Sequence, residues 1–500
     1  MNSLLGSGSM LFNSFIFFLF LAVVLSIYRL VRGQRARVLF LLVASYFFYG
    51  YWDWRFTILL AISTTTDFLV GRGLGRTDEK KGRKRLMLLS CVVNLGILGV
   101  FKYFDFFISS AQAGLAALGL NVESFHLRII LPVGISFYTF KTLSYTIDVY
   151  RRRLDPTHSF PDYALFVSFF PNLVAGPIER ARNLLPQIAD LKAATPQQVK
   201  EGLVLITMGL FKKVLIGDAA ARIVNNIFGQ PELYRSPELL AGLILFSIQI
   251  YADFSGYSNI ARGIAKLFGV ELMRNFEQPY LSRSFSEFWR RWHISLSTWI
   301  WDYIFNPLMS ALLRRVGRWK LSSVQLEMRI VYPCAAIITM LLCGLWHGAG
   351  ITYIVWGALH GVFLTVERLA IYKNKAISMR GRIRGMRSLG RFVIRLTSTQ
   401  FLILFAWLIF RAKDLNQVWY FLGQFVHWQG SDLTGRFAVI VLFFGLMILI
   451  LDIAEYVTRS EVYLLRLRPA VTATICVGIF LVVCFYMMTT KPLPFVYFQF

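Results

Sequence analysis

The residues best suited to chemistry in this sequence are its histidines, of which there are only six: His126, His158, His293, His347, His360 and His427. An imidazole changes charge near neutral pH, which is what a general base requires. His347 closes an apolar run in LLCGLWHGAG at 341 to 350. The glycines around it let another backbone or a ligand approach the ring closely. Its structural alternative is a core histidine bonded to a carbonyl. His293 lies in a segment where Phe285, Trp289, Trp292, Leu296 and Trp299 recur at three- and four-residue spacing. That spacing predicts one continuous aromatic helix, with His293 four residues after Trp289 and facing its stripe. A histidine beside tryptophans can equally be an interfacial anchor. His360 repeats the association of Trp, Gly and His in WGALHG at 356 to 361. Rare imidazoles that share a Trp-rich context make a common site more credible than any one of them does singly.

Other side chains extend this set. Trp346 adjoins His347, and Cys343 precedes it by one helical turn, the relation a thiol nucleophile needs, although a buried cysteine is usually a small hydrophobe. Arg290 and Arg291 could hold the phosphates of a coenzyme or carrier, or simply reach toward lipid headgroups. Asp253, in YADFSGY at 251 to 257, could support a histidine or make a structural hydrogen bond; Asp67, Asp148, Glu367 and Asp452 are further carboxylates within apolar runs. The five cysteines show neither CxxC nor zinc spacing, so no metal site is expected.

The elements that must position these groups follow from composition. The chain is 56% hydrophobic, 16% aromatic and only 16% charged, which excludes a soluble multidomain protein and a disordered chain and leaves an all-α polytopic membrane protein. Apolar stretches can be read near 9–28, 38–52, 56–71, 86–108, 129–149, 201–224, 238–261, 330–347, 351–371, 396–412, 437–457 and 469–490. They predict about twelve transmembrane helices, within a range of 11 to 13. The first lies behind a polar stretch with no basic lead or cleavage site, so it is expected to be retained. Residues 160–180 and 280–308 are too long for connectors and too apolar for solvated loops, and they predict re-entrant or interfacial helices enclosing a site.

The net charge of +26 would suggest nucleic acid in a soluble protein, but here the basic residues gather between apolar runs. Alternate gaps hold 40 of the 53 Lys and Arg residues. The positive-inside rule then predicts both termini outside the cytoplasm, with lipids and no nucleic acid as partners.

At this point the motifs resemble a known family. FWRRWHISLSTW at 288 to 299 and LLCGLWHGAG are similar to the two histidine motifs of the membrane-bound O-acyltransferases, in the bacterial branch that acetylates exported polysaccharides such as alginate. LPVGISFYTFKTLSYTIDVYR at 131 to 151, FFPNLVAGPIER at 169 to 180, YADFSGYSNIARGIAKLFG at 251 to 269 and FVYFQF at 495 to 500 extend the likeness. Beginning at MLFNSFIF, residues 10 to 17, it covers nearly the whole chain. Trp301, Met309-Ser310 and Asn259 depart from the common pattern.

The resemblance implies a single membrane domain over 1–500, with a core at about 86–372 and added C-terminal helices at about 396–490, around a central funnel or tunnel. It implies transfer of acetyl groups from a cytoplasmic thioester, acetyl-CoA or an acyl carrier, toward a polysaccharide acceptor. His347 would be the catalytic base and His293 the second motif histidine. No permanently bound cofactor is implied, and a periplasmic acetyltransferase partner is. A D-alanyl transferase acting on a cell-envelope polymer is the nearest alternative. A transporter of polymer or lipid intermediates is a rival of another class, but no internal repeat supports it. A scaffold that merely recruits a periplasmic enzyme would need neither histidine.

Overall fold

The computed structural model describes residues 10–120, 130–316, 327–373 and 386–498. His126 lies outside them. Among the described residues no strand occurs, and 21 α-helices follow one another. They are α1 Phe15–Leu30, α2 Gln34–Gly50, α3 Trp54–Arg76, α4 Lys80–Leu98, α5 Phe104–Ala117, α6 Ile135–Tyr150, α7 Phe160–Ser168, α8 Phe170–Leu173, α9 Ala181–Ala189 and α10 Pro196–Leu210. Next come α11 Ala219–Gly229, α12 Ser236–Leu267, α13 Phe285–Arg291, α14 Ile294–Ile300 and α15 Asn306–Val316. The last are α16 Tyr332–His347, α17 Ile351–Lys373, α18 Met386–Arg411, α19 Leu415–Val426, α20 Thr434–Thr458 and α21 Pro469–Thr489.

The protein is an all-α polytopic membrane protein. Among the described residues six helical stretches are long and apolar enough to cross a bilayer: Lys80–Ala117, Ser236–Leu267, Arg329–His347, Gly390–Arg411, Thr434–Thr458 and Pro469–Thr489. That is about half the number of apolar runs read from the sequence. Several of the remaining helices are short, such as α1, α2 and α6 at 16, 17 and 16 residues. Others carry polar groups that neighbouring helices satisfy. In α3, Asp67 accepts a hydrogen bond from Asn94 Nδ2 at 2.8 Å, and in α6, Lys141 Nζ donates to Val167 O at 2.9 Å.

Contacts divide the chain into two compact, interleaved units. The first runs through Val214 and includes Gly256–Met273 and the chain from Leu464. Within it, the Arg83 guanidinium donates to Leu74 O, and to Val149 O and Tyr150 O at 3.0 and 2.9 Å. These carbonyls lie in the last turns of α3 and α6, where a helix runs out of its own N–H donors. Residues 160–180 form the broken pair α7 and α8 followed by irregular backbone, and nearly all of this stretch is buried. Phe170 N–H is satisfied by Ser45 Oγ at 3.1 Å. Irregular backbone of this kind survives in a membrane protein only where protein covers it.

The second unit comprises Leu215–Ser255 and Arg274–Tyr463. It contains His293, His347 and His360 with Cys343, Trp346, Trp289, Arg290, Arg291 and Asp253, whereas His158, Asp67 and Asp148 lie in the first. Here the expectation of one aromatic helix is corrected: the helix ends at Arg291 and a new one starts at Ile294.

Candidate active site

The break between α13 and α14 is made at His293 itself. Trp292 is extended, and His293 takes left-handed backbone angles, φ 44° and ψ 55°. That conformation costs an L-residue roughly 1–2 kcal/mol and persists only where the surroundings over-determine it. They do so here through residues 275–277. Asn275 O accepts from Ile294 N–H at 2.9 Å, Asn275 Oδ1 accepts from Ser295 N–H at 3.2 Å, and Arg291 O accepts from Glu277 N–H at 2.9 Å. The side chain of His293 therefore leaves the stripe that three- and four-residue spacing assigned to it. It is fully buried, edge-on to Phe254 at 4.6 Å between ring centres and 5.9 Å from Trp346.

His347 is the last residue of α16, where Gly348 turns extended and stops the helix. Helices α16 and α17 pack as a hairpin at backbone contact. A Cβ at Gly344 would overlap Tyr353 O, and one at Gly357 would overlap Met340 O. This close approach lets α17 bring Trp356 to His347, at 5.0 Å and nearly perpendicular. Trp346 at 4.9 Å and Phe410 of α18 at 5.3 Å also meet the imidazole edge-on, and it is 4% exposed. Trp346 thus touches both His293 and His347.

His360 joins the same cluster through Trp356, at 4.6 Å. The indole N–H of Trp289 donates to His360 Nδ1 at 3.3 Å, which assigns the imidazole proton to Nε2. Trp289 therefore pairs with His360, on α17, and α13 is pinned there by Glu367. One carboxylate oxygen of Glu367 accepts from Phe285 N–H at 2.7 Å and Ser286 N–H at 3.2 Å. The result is an alternating series, His293, Trp346, His347, Trp356, His360 and Trp289, within one unit.

The remaining candidates stand at different distances from this series. Cys343 is buried one turn before His347. Asp253 is buried beside Gly217, one residue before the phenyl ring that meets His293. Arg291 is tied to Glu287 at 2.9 Å and to Glu277 O at 3.3 Å, so it braces α13; Arg290 is exposed. Among the described residues no three His, Cys, Asp or Glu side chains converge as a metal-ligand set. Sequence reasoning missed Phe410, which sits in an unmarked apolar run, and Asn275, which only the chain's return alongside residues 291–295 reveals.

Three of the six histidines of this polytopic helical membrane protein are thus buried among indoles within one unit, and comparison with known proteins places the chain in the class of integral membrane enzymes. Residues 143–323 match the family model described as MBOAT, membrane-bound O-acyltransferase family, a span that includes His293. The chain is 39% identical to a probable alginate O-acetylase of Pseudomonas aeruginosa over 431 residues, 85% of this chain and 77% of that protein. It is 32% identical to a peptidoglycan O-acetyltransferase of Helicobacter pylori, over 81% of this chain and 78% of the relative. A teichoic acid D-alanyltransferase of Streptococcus thermophilus is 27% identical over 58% of this chain and 70% of its own length. The chain belongs to the membrane-bound O-acyltransferase family, and it is an O-acyltransferase.

Proposed function

We propose that this protein moves acetyl groups from a cytoplasmic thioester, acetyl-CoA, across the inner membrane for O-acetylation of an exported polysaccharide. A periplasmic acetyltransferase would take up the acetyl group where the polymer is not the direct acceptor. The observation that carries the reading is the contact of Trp346 with both motif histidines, His293 and His347. The acetylated polymers named for the relatives support the acceptor class.

In this reading His347 accepts the proton of the attacking hydroxyl as its oxygen bonds to the thioester carbonyl carbon. The carbon–sulfur bond then breaks, the proton passes to the departing thiolate, and free CoA and an oxygen ester result. A well-placed base contributes about 10²–10⁴-fold in rate. His293 orients the acyl group and stabilises charge on its carbonyl oxygen, while the indoles keep out water that would hydrolyse the thioester.

The test is acetyl transfer by purified, reconstituted protein, followed as CoA release and as base-labile acetate on the host's polysaccharide. His347→Ala is expected to lower turnover about 10²–10⁴-fold while the protein still folds. Full turnover in that variant removes the base assigned here. Transfer of D-alanine with none of acetate would instead favour the relationship to the teichoic acid enzymes.

A further inference from the structure

A helix needs acceptors for the first N–H groups of its initial turn, and the residue at its cap usually supplies one. At α14 the cap residue is His293, whose side chain makes no capping hydrogen bond. The acceptors come from Asn275, 18 positions earlier in the chain. Its backbone oxygen takes Ile294 N–H and its side-chain oxygen takes Ser295 N–H, at 2.9 and 3.2 Å. Asn275 is 1% exposed, so water does not compete for either bond. The imidazole itself is packed between Phe254 and Trp346.

Asn275 is itself held from behind. On its N-terminal side the Arg274 guanidinium pairs with Glu455 of α20 at 3.2 Å and with Glu461 at 3.1 Å. On its other side Gln278, also in a left-handed conformation, donates to the same Glu455 oxygen at 3.1 Å. Among the described residues four non-glycine positions have positive φ, and two of them, His293 and Gln278, lie on the two sides of this pairing. A second tie lies nearby: Tyr251, whose ring meets Phe276 and Trp292, donates its hydroxyl to Asp452 of α20 at 2.7 Å.

We propose that Asn275 is the positioning residue for His293. It replaces the histidine as cap of α14 and so fixes the left-handed turn that delivers the imidazole to Trp346, with Glu455 as the anchor that holds Asn275 in place. The inference rests on the reading that His293 serves acyl transfer. It makes α20, some 160 positions further along the chain, part of the machinery that sets the site.

The test uses full-length protein reconstituted in liposomes with acetyl-CoA as the probe, alongside base-labile acyl esters on the polysaccharide of cells that carry each variant as their sole copy. Asn275→Ala is expected to lower kcat about 10- to 100-fold, the cost of a misplaced catalytic group, with KM for acetyl-CoA and the thermal unfolding midpoint little changed. Asn275→Asp keeps the acceptor oxygen and should restore most of the rate. Combined with His293→Ala, Asn275→Ala should add no further loss, because both act through one ring. Additive losses, an Asn275→Asp no better than Asn275→Ala, or a wild-type rate in Asn275→Ala overturns the proposal. If Asn275→Ala does not accumulate, Glu455→Gln takes its place: a several-fold fall in kcat that vanishes in the His293→Ala background supports the anchor, and any other result overturns it. A fully active His293→Ala protein defeats the reading of His293, and a loss in Asn275→Ala would then belong to another route. An inactive His293→Ala beside a fully active Asn275→Ala defeats this inference alone.

Discussion

At the scale of single residues, Trp346 does two things that one substitution can separate. Its indole lies edge-on to His347 and within contact of His293, so it both spaces the imidazoles and fills the volume between them. Trp346→Phe should keep an aromatic edge near both rings and retain part of the transfer. Trp346→Ala leaves a space that water can enter, so the ratio of free acetate to polymer-bound ester should rise; an unchanged ratio would argue against water exclusion by this side chain. Trp289→Phe is a milder test. It removes the donor to His360 Nδ1 but keeps the packing, so it should cost less than His347→Ala in the same assay. The three imidazoles were legible in the sequence because histidine is rare here and each lies in a segment with tryptophan. Asn275 was not, since its importance arises from two hydrogen bonds to residues about 20 positions away, and nothing in its own neighbourhood marks it.

At the scale of elements, the α16–α17 hairpin depends on glycines at helix contact. Gly357→Ala would drive a methyl group into Met340 O, and neither backbone can yield without moving His347 or Trp356. Overpacking of this kind typically costs about 1–3 kcal/mol, so a lower unfolding midpoint and lower transfer are expected together. Gly478→Ala in α21 is the control. A Cβ there meets nothing within 4 Å, and alanine is favoured over glycine inside a helix by roughly 0.5–1 kcal/mol, so stability should hold or rise. If both substitutions lower the midpoint alike, close packing is not what singles out Gly357. The sequence pattern located these helices but misread the one that matters most. A three- and four-residue aromatic spacing continues through 285–299, and local spacing cannot register that residues 275–277 bond across positions 291–295 and break the helix there. The carboxylate of Glu367 shows the same limit, because its action on the start of α13 spans 82 positions.

At the scale of the whole molecule, composition sufficed for the class: a chain this apolar and aromatic has a bilayer as its solvent. The distribution of charge makes a further demand on function. The gaps that hold most Lys and Arg alternate with gaps that hold almost none, and the basic set is expected to remain in the cytoplasm. A polyanionic thioester donor such as acetyl-CoA is made there, so the basic face is also where electrostatic attraction would gather it. The segment around Lys192 and the segment 428–433 fall in opposite sets. Alkaline phosphatase, which folds only outside the cytoplasm, should therefore be active when inserted at 430 and inactive at 192, and a fluorescent protein that folds only inside should give the reverse. The opposite pattern would put the basic gaps on the periplasmic side. The donor would then have to approach a face poor in cations, and cytoplasmic supply of acetyl-CoA would have to be given up even if His347 proved essential.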